Sequence, residues 1–149
     1  MKSSRRRSRE FALQALYQWQ VNGSNADSLI SQLSEGEGYA KIDQAYFAEL
    51  IKGTITSASD LEQKISQHLD RPLKQLSPVE RGILMLACYE LTTQLDVPYK
   101  VIINEGIELA KTFGGTDGHK YVNGVLDKIA PTLRGEEITQ ASQTARHKA

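Results

Sequence analysis

The 149-residue sequence predicts an all-helical protein, on three observations. Apolar residues recur at spacings of three and four in nearly every segment that can be read periodically. No stretch shows the sustained two-residue alternation between turns that indicates strands. The segment "ILMLACYEL" is apolar on almost every side, as in a helix surrounded by other helices. About six to seven helices are expected from these patterns.

The first half of the chain contains three helical patterns. The first begins near Ser4 and ends at Gly23, because glycine readily adopts the left-handed conformation that ends helices. The second covers "DSLISQLSE". The third runs from about Asp43 through "DLEQKISQHL", with a bend expected around Gly53 and "TITSAS".

The second half contains three more. The apolar helix has a strong start signal: Ser77 can cap, Pro78 takes the first helical position, and Glu80 completes a capping box. "PYKVIINEGIELAKTFGG" predicts the next helix. "TDGHKYVNGVLDKIAP" predicts the last, closed by Pro131.

The domain organisation follows from these elements. Residues 1–131 are expected to form one domain, whose halves 1–71 and 77–131 join around Pro72. Residues 132–149 are polar and lack a sustained apolar stripe, so they are expected to form a flexible tail.

The charge is strongly uneven although the formal net charge is zero. Five basic residues precede the first acidic one, Glu10; they are Lys2, Arg5, Arg6, Arg7 and Arg9. The rest of the chain carries thirteen basic and eighteen acidic residues. Clustered arginine is the electrostatic signature of a nucleic-acid binder, because its planar fork of donors fits phosphate oxygens. The alternative is a solvated basic terminus that contacts nothing.

The helical angles of the first helix suggest how this segment is arranged. At 100° per residue, Arg5 and Arg9 fall on the same side as Ala12 and Leu16, which must be buried. Unpaired guanidinium groups cannot be buried. The segment before Phe11 is therefore expected to project beyond the core as an arm.

Several function classes lack support. A single cysteine, Cys88, excludes an intrachain disulfide and favours a cytoplasmic protein. No apolar run approaches the roughly 18 residues that span a bilayer. "GGTDGHK" lacks the glycine and the Ser/Thr that flank the lysine of a phosphate loop. The three histidines are scattered. No enzyme, metal site or cofactor is expected.

A second candidate binding feature lies at the start of the last helix. Tyr121 sits at the edge of the apolar stripe, beside Lys120 and close in angle to Asp117. A half-exposed tyrosine near a lysine can stack on an unpaired base. The alternative is a core tyrosine whose hydroxyl reaches water.

The stretches "RRRSREFALQALYQWQ", "VERGILMLACYEL" and "DVPYKVIINEGIELAKTFGG" with "HKYVNGVLDKIAP" resemble the NusB family of transcription antitermination proteins, in order and spacing. The resemblance runs from the arginine-rich segment to Pro131. It implies a fold of two packed helical bundles without enzymatic activity. It also implies binding of single-stranded boxA RNA in ribosomal RNA leaders, together with the ribosomal protein NusE, within an RNA polymerase antitermination complex.

The resemblance also implies roles for individual residues. The RNA-binding positions fall on the basic segment and on the start of the last helix: Lys2, Arg5, Arg6, Arg7, Arg9, Asp117, Lys120 and Tyr121. The surface that receives NusE falls on Tyr17 and Glu80. His68 stands where some relatives carry tyrosine, so the resemblance assigns it no stacking role.

Alternatives stay open at this point. Glu80 can complete the capping box, meet a basic partner, or do both. The same fold occurs as the RNA-binding N-terminal module of ribosomal RNA cytosine methyltransferases, which need a catalytic domain after residue 131. A helical module that binds only protein is a third possibility. The apolar stripes could be satisfied in a monomer or in a homodimer.

Overall fold

The computed structural model describes residues 3–115 and 117–140, and this part of the chain is helical without any strand. The helices are α1 Ser4–Asn22, α2 Ala26–Ser34, α3 Gln44–Thr56, α4 Ala58–Ser66, α5 Pro78–Thr93, α6 Tyr99–Phe113 and α7 Gly118–Leu133. Short 3-10 turns at Tyr39–Lys41 and Leu73–Gln75 precede α3 and α5. Residues 135–140 are also helical. The all-helical prediction is confirmed.

Helix α5 lies at the centre of the molecule. It packs against α1, α3, α4, α6 and α7, and every residue from Gly82 to Leu91 is buried. This surrounding explains why the segment is apolar on almost every side. The helix begins as predicted, with Pro78 in its first turn and the Ser77 hydroxyl accepting a hydrogen bond from the Glu80 amide at 3.1 Å.

Helix α1 connects the two halves of the chain. It packs against α2 and α3 and also against α5, and the buried apolar residues of all these helices form one core cluster. Gly23 ends α1 in the left-handed region, with φ of 73°. The connection around Pro72 leads into the second 3-10 turn.

The third predicted helix is two helices, α3 and α4, which separate at Ser57, within the "TITSAS" run where a bend was expected. Gly53 lies inside α3, where an added Cβ atom would overlap the Tyr89 hydroxyl oxygen. The buried ring of Tyr89 on α5 therefore occupies the space of a side chain on α3. Gly53 itself permits a close approach of two helices, and the expected bend lies four residues later, at Ser57.

The last helix continues through Pro131 to Leu133. Arg134 then folds back into the core, with 5% of its surface exposed. It donates hydrogen bonds to the carbonyl oxygens of Leu91, Val97 and Gln94 at 2.7, 3.0 and 3.0 Å, around the end of α5. The prediction of a flexible tail is thus wrong for residues 132–140, because Arg134 is buried and hydrogen bonded to carbonyl oxygens at and just beyond the C-terminal end of α5. Residues 141–149 lie outside the described part.

The close approach at Gly53 generates a stability prediction. Gly53→Ala should lower the free energy of unfolding by about 2–3 kcal/mol, because the added methyl group forces Tyr89 to move within a packed core. Gly124→Ala is the matched control, since a Cβ at Gly124 in α7 has no atom within 4 Å. The control should be neutral or stabilising by up to about 1 kcal/mol, because alanine favours helix. Urea unfolding measures both, and equal effects would contradict the packing role of Gly53.

Candidate nucleic-acid interface

The arginine-rich segment is folded from Ser4 onwards. The Ser3 hydroxyl caps α1 by accepting a hydrogen bond from the Arg6 amide at 3.1 Å. The Ser8 hydroxyl donates to the carbonyl oxygen of Asp43 at 2.7 Å, and the Asp43 amide donates to the Ser4 carbonyl at 3.3 Å. These bonds fasten the first turns of α1 to the start of α3. The expected projecting arm is therefore wrong for the described residues; Lys2 lies outside them.

Arg9 is buried, with 4% of its surface exposed. Its Nε and Nη2 atoms donate to the two carboxylate oxygens of Glu90 at 2.8 and 2.9 Å. The Tyr46 hydroxyl donates to the same carboxylate at 2.6 Å. Burial alone would lower the pKa of Arg9, but the hydrogen bonds and charge of Glu90 outweigh it and raise the pKa overall.

This pairing corrects the assignment of Arg9 to the RNA-binding set. A guanidinium with both forks on Glu90 and almost no exposed surface cannot reach a phosphate. The helical angle placed Arg9 on the buried side correctly. The conclusion drawn from it was wrong, because Arg9 has a partner 81 positions away in the chain. A guanidinium paired in this way can be buried.

Arg5 and Arg7 are accessible. Arg5 is exposed, and its guanidinium lies 4.3 Å from the centroid of the Tyr46 ring, with Nε 3.8 Å from the carboxylate of Asp43. Arg7 is half-buried and lines a shallow depression with Phe11 and neighbouring residues. Both side chains can therefore meet an anion at the surface.

Arg6 is also accessible, although it is paired. Its Nε and Nη2 atoms donate to the two oxygens of Glu105 on α6 at 2.9 and 3.0 Å. The Arg6 side chain remains 38% exposed. Because Nη1 takes no part in this bidentate pair, Arg6 retains donors for a phosphate.

A second group of polar residues surrounds Tyr121 at the start of α7. The half-buried ring packs on the core, and its hydroxyl donates to the Asp70 carboxylate at 3.2 Å. The guanidinium of Arg71 lies over the ring, 4.7 Å from its centroid. Burial, followed by the charge of Asp70, raises the pKa of Tyr121. Sequence reasoning did not single out Arg71, because it stands in a polar connection without a helical pattern.

Lys120 and Asp117 flank this group. Their side chains are 73% and 76% exposed, and the ammonium nitrogen lies 3.4 Å from the carboxylate. Such an exposed pair is held weakly, so either charge can act on an incoming ligand.

The proposed partner surface lies where α1 meets the start of α5. Tyr17 is 47% exposed and Val21, one helical turn later, is 63% exposed. The Gln20 amide between them donates to the Pro78 carbonyl at 2.9 Å. The carboxylate of Glu80 accepts a hydrogen bond from the Ser77 hydroxyl at 3.3 Å. Val21 completes an exposed apolar pair that sequence reasoning missed.

Glu80 also lies near the Tyr121 group. The pKa of Arg71 is raised by its hydrogen bond to Asp70 and, to a smaller extent, by the charge of Glu80. Glu80 acts on the pKa of Tyr121 in the same way, after burial and Asp70. The structure thus brings Glu80 close to Arg71 and Tyr121. Arg6 lies apart from this group and pairs instead with Glu105 on α6.

Other kinds of site find no support in residues 3–115 and 117–140. No cluster of three or more His, Cys, Asp or Glu side chains in this part could hold a metal ion. None of its helices combines the length and apolar character needed to cross a membrane. Burial raises the pKa of the Cys88 thiol to about 11, which leaves it unsuited to act as a nucleophile.

Comparisons with known proteins agree on one family. The model of the NusB family matches residues 6–131. A transcription antitermination protein NusB of Dechloromonas aromatica is 52% identical over 142 residues, 95% of this chain and 87% of the relative. The corresponding protein of Paraburkholderia phymatum is 53% identical over 143 residues, 96% of this chain and 99% of the relative.

Solved structures share the fold. The structure of NusB from T. maritima superposes with a TM-score of 0.80 at 35% identity, covering 93% of this chain and 99% of that one. A chain of the complex of antitermination factors NusB and NusE with dsRNA gives a TM-score of 0.75 at 23% identity, covering 85% and 96%. At that identity the likeness concerns the fold alone.

The buried pair of Arg9 and Glu90 should contribute strongly to stability. Arg9→Ala should lower the free energy of unfolding by about 3–5 kcal/mol, because it leaves the Glu90 carboxylate buried without its cation. Arg5→Ala is the matched control, since it removes the same charge from an exposed site one turn earlier, and it should cost less than about 1 kcal/mol. Chemical denaturation measures both changes. Equal small losses would show that Arg9 is not an anchor of the fold.

Proposed function

The chain belongs to the NusB family, and on that premise we propose that it is a transcription antitermination factor that binds boxA RNA together with the ribosomal protein NusE. The observation that supports this most is the identity of 52–53% with relatives named as transcription antitermination proteins, over nearly the full length of both chains. The arrangement of the exposed groups supports it independently.

The RNA-binding surface of the proposal has two parts. Arg5, Arg6 and Arg7 supply accessible guanidinium groups at the start of α1. Lys120 and Tyr121 supply a charge and an aromatic ring at the start of α7. Phosphate contacts from the first part and base contacts from the second are the combination that proteins use for single-stranded nucleic acid.

The partner surface of the proposal is chemically different. Tyr17 and Val21 present an exposed apolar pair, and Glu80 adds a carboxylate. Apolar and negative groups suit a protein with basic and apolar side chains better than they suit RNA.

The experiment that tests the proposal is a titration of labelled boxA RNA with this protein, with and without NusE. Binding should be sensitive to salt, with log K falling against log[salt] at a slope of roughly −2 for three phosphate contacts. NusE should increase the affinity. The proposal would be contradicted if the protein bound an unrelated RNA as strongly as boxA RNA, or if it bound no RNA. Binding of NusE without any binding of RNA would favour a protein-only module.

Asp117 offers a test of where the RNA lies. Asp117→Asn should raise the affinity for boxA RNA, because it removes a negative charge near incoming phosphates and releases Lys120. The gain should shrink as salt rises. Asp127→Asn is the control, since it makes the same charge change on exposed α7 surface, about 15 Å further along the helix. Filter binding at two salt concentrations measures both, and an equal gain in the control would refute a local role for Asp117.

Tyr17 offers a test of the partner surface. Tyr17→Asp should weaken binding of NusE by at least tenfold, because it places a charge in an apolar contact, and should leave binding of RNA to the isolated protein within a few fold. Leu95→Asp is the control: Leu95 is 68% exposed beyond the far end of α5, about 24 Å from its start. Calorimetry with NusE decides between them. Equal losses for the two variants would place NusE elsewhere.

A further inference from the structure

The exposed side of Tyr121 is covered by a cation. The ring packs against the hydrophobic core, and the guanidinium of Arg71 lies over it at 4.7 Å from the centroid. An RNA base that approaches the start of α7 therefore meets Arg71 before it meets the ring. A direct stack of the base on Tyr121 requires that Arg71 move away.

The carboxylate of Asp70 holds this arrangement together. Its Oδ1 atom accepts hydrogen bonds from the Arg71 Nε at 3.0 Å and from the Tyr121 hydroxyl at 3.2 Å. The Arg71 Nη2 lies 3.5 Å from the other carboxylate oxygen. One carboxylate thus holds a guanidinium plane and a phenol ring next to each other, across the connection after α4 and the start of α7.

Arg71 nevertheless remains available to a ligand. Its side chain is 46% exposed, and its Nη1 atom takes no part in the contact with Asp70. A guanidinium plane can stack on a nucleobase while its unused nitrogen donates to a phosphate. A lysine ammonium offers the charge without the plane.

We propose that Arg71 is the group on which an unpaired RNA base stacks, with Tyr121 as the platform beneath it and Asp70 as the residue that orients it. The order of the stack is ring, guanidinium and base. This inference rests on the proposed RNA-binding function. It differs from the expectation that the base stacks on Tyr121 itself.

The test measures the coupling between Arg71 and one base. A set of boxA RNAs is prepared in which one nucleotide at a time is abasic, and each is titrated with the wild-type protein, Arg71→Ala, Arg71→Lys, Tyr121→Ala and Lys74→Ala. The wild type should lose roughly tenfold in affinity at one abasic position through loss of the stack. Arg71→Ala should lose a similar factor on intact RNA and show no further loss at that position.

Two variants separate stacking from charge. Arg71→Lys should also lose the coupling but keep the salt slope of the wild type, because it retains the charge without the plane. Lys74→Ala removes the same charge from an exposed residue three positions away and should keep the coupling. Circular dichroism checks that each variant is folded.

Distinct outcomes would overturn the proposal. Arg71 does not carry the base if Arg71→Ala binds intact RNA as well as the wild type does. The same conclusion follows if Arg71→Ala binds every abasic RNA more weakly than the wild type by one constant factor, because no position is then coupled to Arg71. If the coupling disappears in Tyr121→Ala but persists in Arg71→Ala, the base stacks on the ring directly. Failure of the wild type to bind any boxA RNA would overturn the proposed function as well, which distinguishes that failure from the first three.

Discussion

The buried contact of Arg9 and Tyr46 with Glu90 is the constraint on which the arrangement of the N-terminal surface depends. Glu90 lies within the run of ten buried residues of α5 and is itself 2% exposed. A carboxylate in that position must be neutralised and hydrogen bonded. Arg9 from α1 and Tyr46 from α3 do this together, so one ionic group joins three helices.

This contact determines where the remaining arginines point. With Arg9 directed into the core, Arg5 lies one turn earlier over the Tyr46 ring, and Arg6 turns towards Glu105 on α6. Glu105 contacts one edge of the Arg6 guanidinium, and Asp70 contacts one edge of the Arg71 guanidinium. Both guanidinium groups remain accessible. A side chain held in this way loses less conformational freedom when a ligand binds. We interpret the surface as preorganised rather than as a loose basic arm.

Helical periodicity predicted most helices correctly because a helix buries at least one face, and that burial determines which positions are apolar. The capped start at Ser77, the end at Gly23 and the central place of α5 all follow from local patterns. The errors share one cause, since each involves a contact between residues far apart in the chain. Gly53 packs against the ring of Tyr89, and Arg134 is hydrogen bonded to the end of α5. Neither partner is visible in the local sequence. The same holds for the site, where the local sequence shows neither that Arg9 pairs with Glu90 nor that Arg71 lies over the Tyr121 ring.

We infer that Arg9 shapes the RNA-binding surface without contacting RNA. The most direct measurement is the slope of log K against log[salt] for boxA RNA and the variants Arg9→Gln and Arg7→Gln, at a temperature where both are folded. A residue that contacts one phosphate contributes about 0.7 to this slope. We expect Arg9→Gln to lower the affinity with an unchanged slope and Arg7→Gln to reduce the slope by about 0.7. An equal reduction of the slope in Arg9→Gln would contradict this inference.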